Sequence, residues 1–468
     1  MTRLIAALLL AVAIAPAELR IGRGIATITP PAGMPVGGGF RPNFAKGVHD
    51  ELVCKALVLD EGGTRAAIVS CDVESLHRPT VVAARAHIDR AGSIRGADVM
   101  ICATHTHSGP EMTPLVLEGL PDEAGRIARA YHEELPRKIA EAVRLAEGNL
   151  VPARVWAGRG REDTVAFNRR YLMKDGSVRF NPGKGNPDIV RPAGPIDPDL
   201  PVVYFDSPEG APLATHVNYA MHAAIGSPGF SADFPGVIAK ILASVKGPDM
   251  LTLFTAGPQG NTNHVDTSST APQRGVEEMH RIGSVLAGET LRTYKTLRPV
   301  TAARLAVRSE IVELPVPSFS EKERAWSRET IAQARQGGQP QPTFLELVHA
   351  FTIHNVTVAH RARPIPAEVQ VIVLGDEVAW VGLPGENFVE HGITIKTHSP
   401  FPYTVVSTLA NDMIDYVPNR RGFEEGSYEA VNARCLPGCG ELLAETANRM
   451  LSEMYRGRNG TAGKGRLR

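Results

Sequence analysis

Two histidines one residue apart, His105 and His107, follow an apolar run from Val99 to Ala103 and precede the chain-breaking triplet Ser108-Gly109-Pro110. In an extended strand side chains alternate with a period of two, so both imidazoles are expected to leave one face at the strand's end. Two further apolar runs end in the same manner: Leu213 to Tyr219 leads to His222, and Val378 to Gly382 leads to Leu383-Pro-Gly-Glu386. Each alone has a plain structural reading: polar residues closing a strand, a core or capping histidine, and a glutamate complementing the N-terminal dipole of a following helix. Together they match a His/His/carboxylate zinc site, in which three protein ligands leave one position open for water. The chemistry such a site serves is metal-assisted hydrolysis.

The neighbouring residues narrow the class. A metallo-β-lactamase-like site continues His-x-His-x-Asp-His, and here Gly109 and Pro110 stand where that Asp and His are needed. An amidohydrolase barrel also uses His-x-His at a strand end, but it requires eight regular β/α units. The proline-rich stretch Asn181 to Pro201 and the late β-pairs do not suggest them.

The elements that must position these residues belong to an ordinary globular chain. Of 468 residues, 43% are hydrophobic and 21% charged, enough apolar material for a substantial core. Fifty basic residues balance fifty acidic ones, which argues against a nucleic-acid partner, whose footprint is basic. Arg3, the apolar run Leu4 to Ile14 and Ala15-Pro16-Ala17 read as a signal peptide over residues 1–17, and hence as export to the periplasm or medium. Five cysteines exclude a complete disulfide framework. Cys54, Cys71 and Cys102 lie in strand-like runs where free thiols are expected, and Cys435 and Cys439 are the pair offered for one local bridge.

From Gly24 onward short β-rich runs alternate with helical ones, the rhythm of an α/β protein. Strands are expected at Glu51 to Leu59 and Arg65 to Cys71 around the turn Asp60 to Gly63. A core helix is expected from Asp122, with the stripe Ile127, Tyr131, Leu135, Ile139, Val143. Asn181 to Pro201 is expected to be a long irregular excursion. No repeat and no hard linker appear, so the expectation is one large catalytic domain over residues 18–455. It would consist of mixed β-sheets flanked by helices with the metal site at strand ends, followed by a frayed basic tail over 456–468.

Thr104-His-Thr-His-Ser-Gly-Pro110, Tyr219-Ala-Met-His222, Leu383-Pro-Gly-Glu386 and the spacing from Asn411 through Tyr416 to Tyr428-Glu429 resemble the neutral/alkaline, non-lysosomal ceramidase family. The resemblance runs from Gly24-Ile-Ala-Thr-Ile-Thr-Pro to Glu429. It implies that His105, His222, Glu386 and Tyr416 bind Zn2+, that His107 is an acid/base histidine beside the metal, and that Tyr428 donates a hydrogen bond to the developing oxyanion. The implied activity is hydrolysis of an amide bond in an N-acyl sphingosine-like lipid, with transient contact with a membrane surface.

Two departures from the family pattern stand out. Its functional serine lies in an Asn-x-Ser-Pro-Asn run, whereas this chain reads Gly260-Asn261-Thr262-Asn263-His264, which leaves Thr262 as the expected replacement or as a satisfied loop threonine. The family's usual C-terminal immunoglobulin-like domain is not expected in the residues after Tyr428. Alternatives therefore stay open: a metal-dependent hydrolase of another amide or ester, or a secreted metal-binding protein without catalysis. The loop Asn168-Arg169-Arg170 offers either a contact to a polar substrate group or structural ion pairing.

Overall fold

A computed structural model describes residues 18–301, 304–336 and 340–457. The segment expected as a signal peptide lies outside the described residues, as does all of the expected tail except Arg456 and Gly457. Arg456 instead closes the last helix.

The chain begins with a five-stranded sheet of β1 (Arg20–Thr27), β2 (Val53–Glu61), β3 (Thr64–Cys71), β4 (Val99–Ala103) and β5 (Val151–Pro152), in the order β4-β3-β2-β1-β5. Helices α1 (Arg78–Ala91) and α2 (Asp122–Glu147) cover one face. A second sheet opens with β6 (Arg154–Arg161). It is interrupted by a small sheet of β7 (Arg170–Met173), β8 (Val178–Phe180) and β9 (Ile189–Pro192), and resumes with β10 (Asp199–Asp206), β11 (Pro212–Tyr219), β12 (Leu251–Ala256) and β13 (Arg298–Val300). Helices α3 (Asp233–Lys246) and α4 (Val276–Thr293) pack on it. The third sheet comprises β14 (Leu305–Leu314), β15 (Ile365–Leu374), β16 (Val378–Gly382) and β17 (Tyr403–Ser407). Between β14 and β15 lie α5 (Glu321–Gln336) and α6 (Phe344–His354), while α7 (Val389–His398) and α8 (Cys439–Arg456) cover the third sheet.

The side-chain period of two explains how three sheets share one interior. Leu57 and Leu59 of β2, Val203 and Phe205 of β10, and Ile372 and Leu374 of β15 meet in a central cluster. Their alternate neighbours Ala56 and Val58, Val202 and Tyr204, and Val371 and Val373 face the outer helices. The inner strands are thus buried on both faces, which is why β3, β15 and β16 read as nearly continuous apolar runs. Parallel pairs β3–β4, β11–β12 and β16–β17 point their C-terminal ends the same way along each sheet. The loops leaving β4, β11, β16 and β17 carry the polar residues singled out above.

Three expectations are corrected. Cys54 and Cys71 are bonded to each other, because the antiparallel register sets them opposite one another across β2 and β3. Cys435 and Cys439 are free, and Cys439 opens α8. The stretch from Asn181 is not wholly irregular: β9 pairs with β7, and β10 begins at Asp199.

Candidate metal centre

The two histidines after β4 do converge, but not by strand alternation. The strand stops at Ala103, and His105 adopts a left-handed backbone with φ of 66°. Its amide donates to the Val73 carbonyl and that of His107 to the Ala223 carbonyl, so the segment is held between the first two sheets. The rings meet edge-on, with centroids 4.7 Å apart. His222 follows β11, its ring centroid 4.6 Å from that of His105. Glu386 and Tyr416 come from the loops after β16 and β17 and are brought side by side by a short parallel ladder, Glu386 opposite Tyr416 and Asn387 opposite Val417.

Hydrogen bonding on the outer side of each ring fixes what faces inward. His105 Nδ1 donates to the Glu74 carbonyl at 2.7 Å, and His222 Nδ1 to the carbonyls of Gln259 at 2.9 Å and Thr262 at 3.0 Å. With Nδ1 protonated, each Nε2 turns a lone pair to the centre. Glu386 Oε2 lies 3.3 Å from His105 Nε2 and 2.9 Å from His222 Nε2. Yet it is buried with no hydrogen-bond donor of its own. His107 Nε2 is 3.2 Å from His105 Nε2, and the Tyr416 hydroxyl is 3.4 Å from His222 Nε2. Lone pairs converging in this way could hold a metal cation, and a nitrogen-oxygen donor set of this kind suits zinc. His105, His107 and His222 offer nitrogens all within 4.8 Å of one another.

The electrostatics follow from this crowding. Burial penalises a charged His105, but Glu386 outweighs it and raises the pKa. Burial also opposes ionised Glu386, yet His105 and His222 hold it well below the ordinary carboxyl range. His222 is lowered to about 3, by burial first and then by Arg169, and His107 is lowered by burial and its histidine neighbours. Burial drives the Tyr416 phenol upward against the opposing pull of the Arg169 guanidinium.

Arg169 takes the ion-pairing role offered for its loop and also lines the cavity. Its Nε donates to Glu429 at 2.9 Å, Nη2 to the Gly260 carbonyl at 2.8 Å and Nη1 to His222 Nε2 at 3.2 Å. Arg170 shares Glu429 through a 2.7 Å contact. Tyr428 stands edge-on to Tyr416, with centroids 5.2 Å apart, on a short helix, Ser427–Val431. Arg169, His107, His222, Tyr416 and Tyr428 all line one cavity of about 750 Å³. Thr262 is not among the lining residues. Its buried hydroxyl donates to the Ala220 carbonyl at 2.9 Å, and only its backbone oxygen reaches the centre, through His222. The sequence reading did not single out the Gly38-Gly39-Phe40 wall, although the glycine run is visible. Gly38 has φ of +87°, and a Cβ there would lie 2.1 Å from His107 Nδ1.

This is a mixed α/β protein with a histidine-carboxylate-phenol centre at the ends of strands from three sheets. No profile of a known protein family matches the chain. A 204-residue stretch, 41% of this chain, is 28% identical to the neutral ceramidase of Pseudomonas aeruginosa, and the match spans 28% of that relative's length. The crystal structure of neutral ceramidase from Pseudomonas aeruginosa superimposes with a TM-score of 0.72 at 18% identity, covering 94% of this chain and 75% of that one. A ceramidase complexed with C2 gives 0.71 at 17%, covering 94% and 76%. The chain is therefore similar to a neutral ceramidase in sequence over that stretch and shares the ceramidase fold over nearly its whole described length.

Proposed function

We propose that this protein is an exported, zinc-dependent hydrolase that cleaves the amide bond of an N-acyl, ceramide-like lipid. The observation that carries the reading is the convergence of His105 Nε2, His222 Nε2 and Glu386 Oε2, each turned inward, beside the 750 Å³ cavity that His107, His222 and Tyr416 line. The sequence match to a neutral ceramidase and the fold shared with a ceramidase complexed with C2 support the substrate class. Residues 1–17 support export by their signal-peptide pattern.

His105, His222, Glu386 and Tyr416 would hold the metal. A zinc ion supplies Lewis acidity toward water and toward an acyl carbonyl. Around it, His107 lines the cavity with Nε2 facing the centre, in position to take a proton from the attacking water and return it to the leaving amine nitrogen. Burial keeps the Tyr428 phenol protonated, so its hydroxyl can donate to the oxyanion as the carbonyl carbon becomes tetrahedral. The Arg169 guanidinium, oriented by Glu429 and Gly260, adds positive charge on the same side. Phe40, Phe180 and Phe344 provide apolar wall for an acyl chain.

The test pairs metal analysis with turnover. The purified protein should contain about one zinc per chain and release fatty acid from short-chain ceramide, and His222→Ala should lose both. A protein that binds no metal, or an H222A variant that hydrolyses ceramide at the parent rate, overturns the proposal.

A further inference from the structure

The cavity above the candidate centre has a charge pattern that a neutral lipid does not explain. Three arginines line it, Arg41, Arg169 and Arg274, and no aspartate or glutamate among the described residues does. Arg169 is at the base and already engages Glu429. Arg41 and Arg274 are exposed. Arg41 donates to the neutral Gln341 amide at 2.8 Å, and Arg274 makes no ion pair or hydrogen bond among the described residues.

Some exposed arginines elsewhere on this surface are neutralised by carboxylates: Arg154 by Asp206, Arg161 by Asp163, Arg179 by Asp175 and Arg281 by Glu278. The rim continues into an adjoining groove of about 380 Å³, lined by Asn181, Arg274 and Lys184, again without an acidic residue. In a chain of zero formal net charge, unpaired cations gathered at one opening are a local feature rather than a reflection of composition. Between the rim and the histidines the wall is apolar, with Phe40, Phe180, Phe344 and Leu347. The cavity therefore runs from a cationic mouth, past hydrocarbon-binding surface, to the hydrolytic residues.

We propose that the preferred amide carries an anionic group, a carboxylate or a phosphate, held by Arg41 and Arg274 at the mouth while its amide bond lies at the histidines. The proposal rests on the amide-hydrolase reading and names the substrate class within it. Planar guanidinium groups suit either anion, since both accept paired hydrogen bonds. In the reaction water adds its oxygen to the acyl carbon, the carbon-nitrogen bond breaks, and the amine nitrogen gains a proton. The charge at the mouth takes no part in that balance.

The test compares N-dodecanoyl-6-aminohexanoate, whose carboxylate is separated from the amide by a hydrocarbon spacer, with its uncharged counterpart N-dodecanoyl-6-aminohexanamide, both as soluble monomers, on the parent protein and on Arg41→Gln, Arg274→Gln and the double variant. The expected preference for the anion in kcat/KM is about tenfold, shrinking in each single variant and approaching unity in the double one. Raising salt from about 0.05 to about 0.5 M should reduce the preference as well. Equal kcat/KM for the two amides, or a preference that survives the double substitution, overturns the proposal. A further arm presents neutral short-chain ceramide in zwitterionic and in anionic vesicles. Stimulation by anionic vesicles that depends on both arginines, without preference between the soluble amides, would mean that the rim reads a lipid surface, and also overturns it. Titration calorimetry with the same amides keeps the two readings apart. Selective binding of the anion without cleavage of either amide sinks the hydrolase reading and, with it, the assignment of a substrate. Cleavage without selectivity sinks the anion site alone.

Discussion

Replacing Gly38 with alanine should separate proton transfer from metal binding. The added Cβ would meet His107 Nδ1 at 2.1 Å, Cγ at 2.6 Å and Cε1 at 2.9 Å, whereas ordinary contact begins near 3.4 Å. The ring must therefore retreat by about 1.3 Å, the difference between 3.4 and 2.1 Å. Because φ at this position is +87°, an L-residue adds about 1–2 kcal/mol of backbone strain. A displacement of roughly 1 Å in a catalytic group costs on the order of 100-fold in rate, and loss of general acid/base catalysis costs about 10²–10⁴-fold. We expect Gly38→Ala to lower kcat by about 100-fold and the Tm by a few degrees, while zinc stays bound through His105, His222, Glu386 and Tyr416. His107→Ala should reproduce the kinetic loss without the backbone penalty. Metal content by mass spectrometry, thermal unfolding and single-turnover rates decide the matter. Loss of zinc together with activity in both variants would make His107 a ligand. Unchanged kcat would remove it from the chemistry altogether.

Further substitutions test the surroundings. Glu429→Gln keeps the shape but leaves Arg169 and Arg170 without their shared buried carboxylate. A destabilisation of about 3 kcal/mol or more is expected by denaturant unfolding, and an unchanged midpoint would refute the pairing argument. Thr262→Val removes one hydroxyl hydrogen bond, worth about 1 kcal/mol, but not the backbone oxygen that holds His222. Turnover should stay within about twofold, and a zinc-loaded, folded but inactive variant would restore Thr262 to a catalytic role. Glu111 is buried with Oε2 unpartnered, and burial raises its pKa from 4.5 to about 8. Below 4.5 both folded and unfolded chains carry the proton. Between 4.5 and 8 the unfolded chain releases it first, so stability declines with rising pH by up to about 1.4 kcal/mol per unit and levels off above 8. Glu111→Gln, which keeps an oxygen for the Thr113 amide, should flatten that part of the Tm-against-pH curve. Parallel curves for parent and variant would contradict the assignment.

The α/β class and most strands were legible because burial on both faces leaves long apolar runs between polar punctuation. The sequence also showed Asp122 opening the long helix whose Leu135, Ile139 and Val143 are buried. Which strands share a sheet was not legible, since register leaves no trace in a single chain's periodicity. The Cys54–Cys71 bond is the clearest case: seventeen residues apart, the two cysteines become neighbours only through the β2–β3 pairing. For the site, the residue types at strand ends and the family resemblance identified the cluster. Neither predicted that Arg169 would touch His222, because that contact depends on the crossing of loops from distant elements.

His105 shows why correct residues can be reached by an incomplete geometric argument. Alternation along an extended strand would place His105 and His107 on one face, but such neighbours are about 7 Å apart along the strand, too far for nitrogens to share an ion without further bending. The left-handed φ at His105 supplies that bend, and the Val73 and Ala223 carbonyls hold it by accepting the amides of His105 and His107. The ring nitrogens then come within 3.2 Å. A non-glycine residue in this conformation carries a steric cost of about 1–2 kcal/mol, which packing between two sheets must offset. The strain and the convergence of lone pairs therefore have one origin: the loop is held in the shape that brings His105 and His107 together, and a relaxed extended strand would separate them.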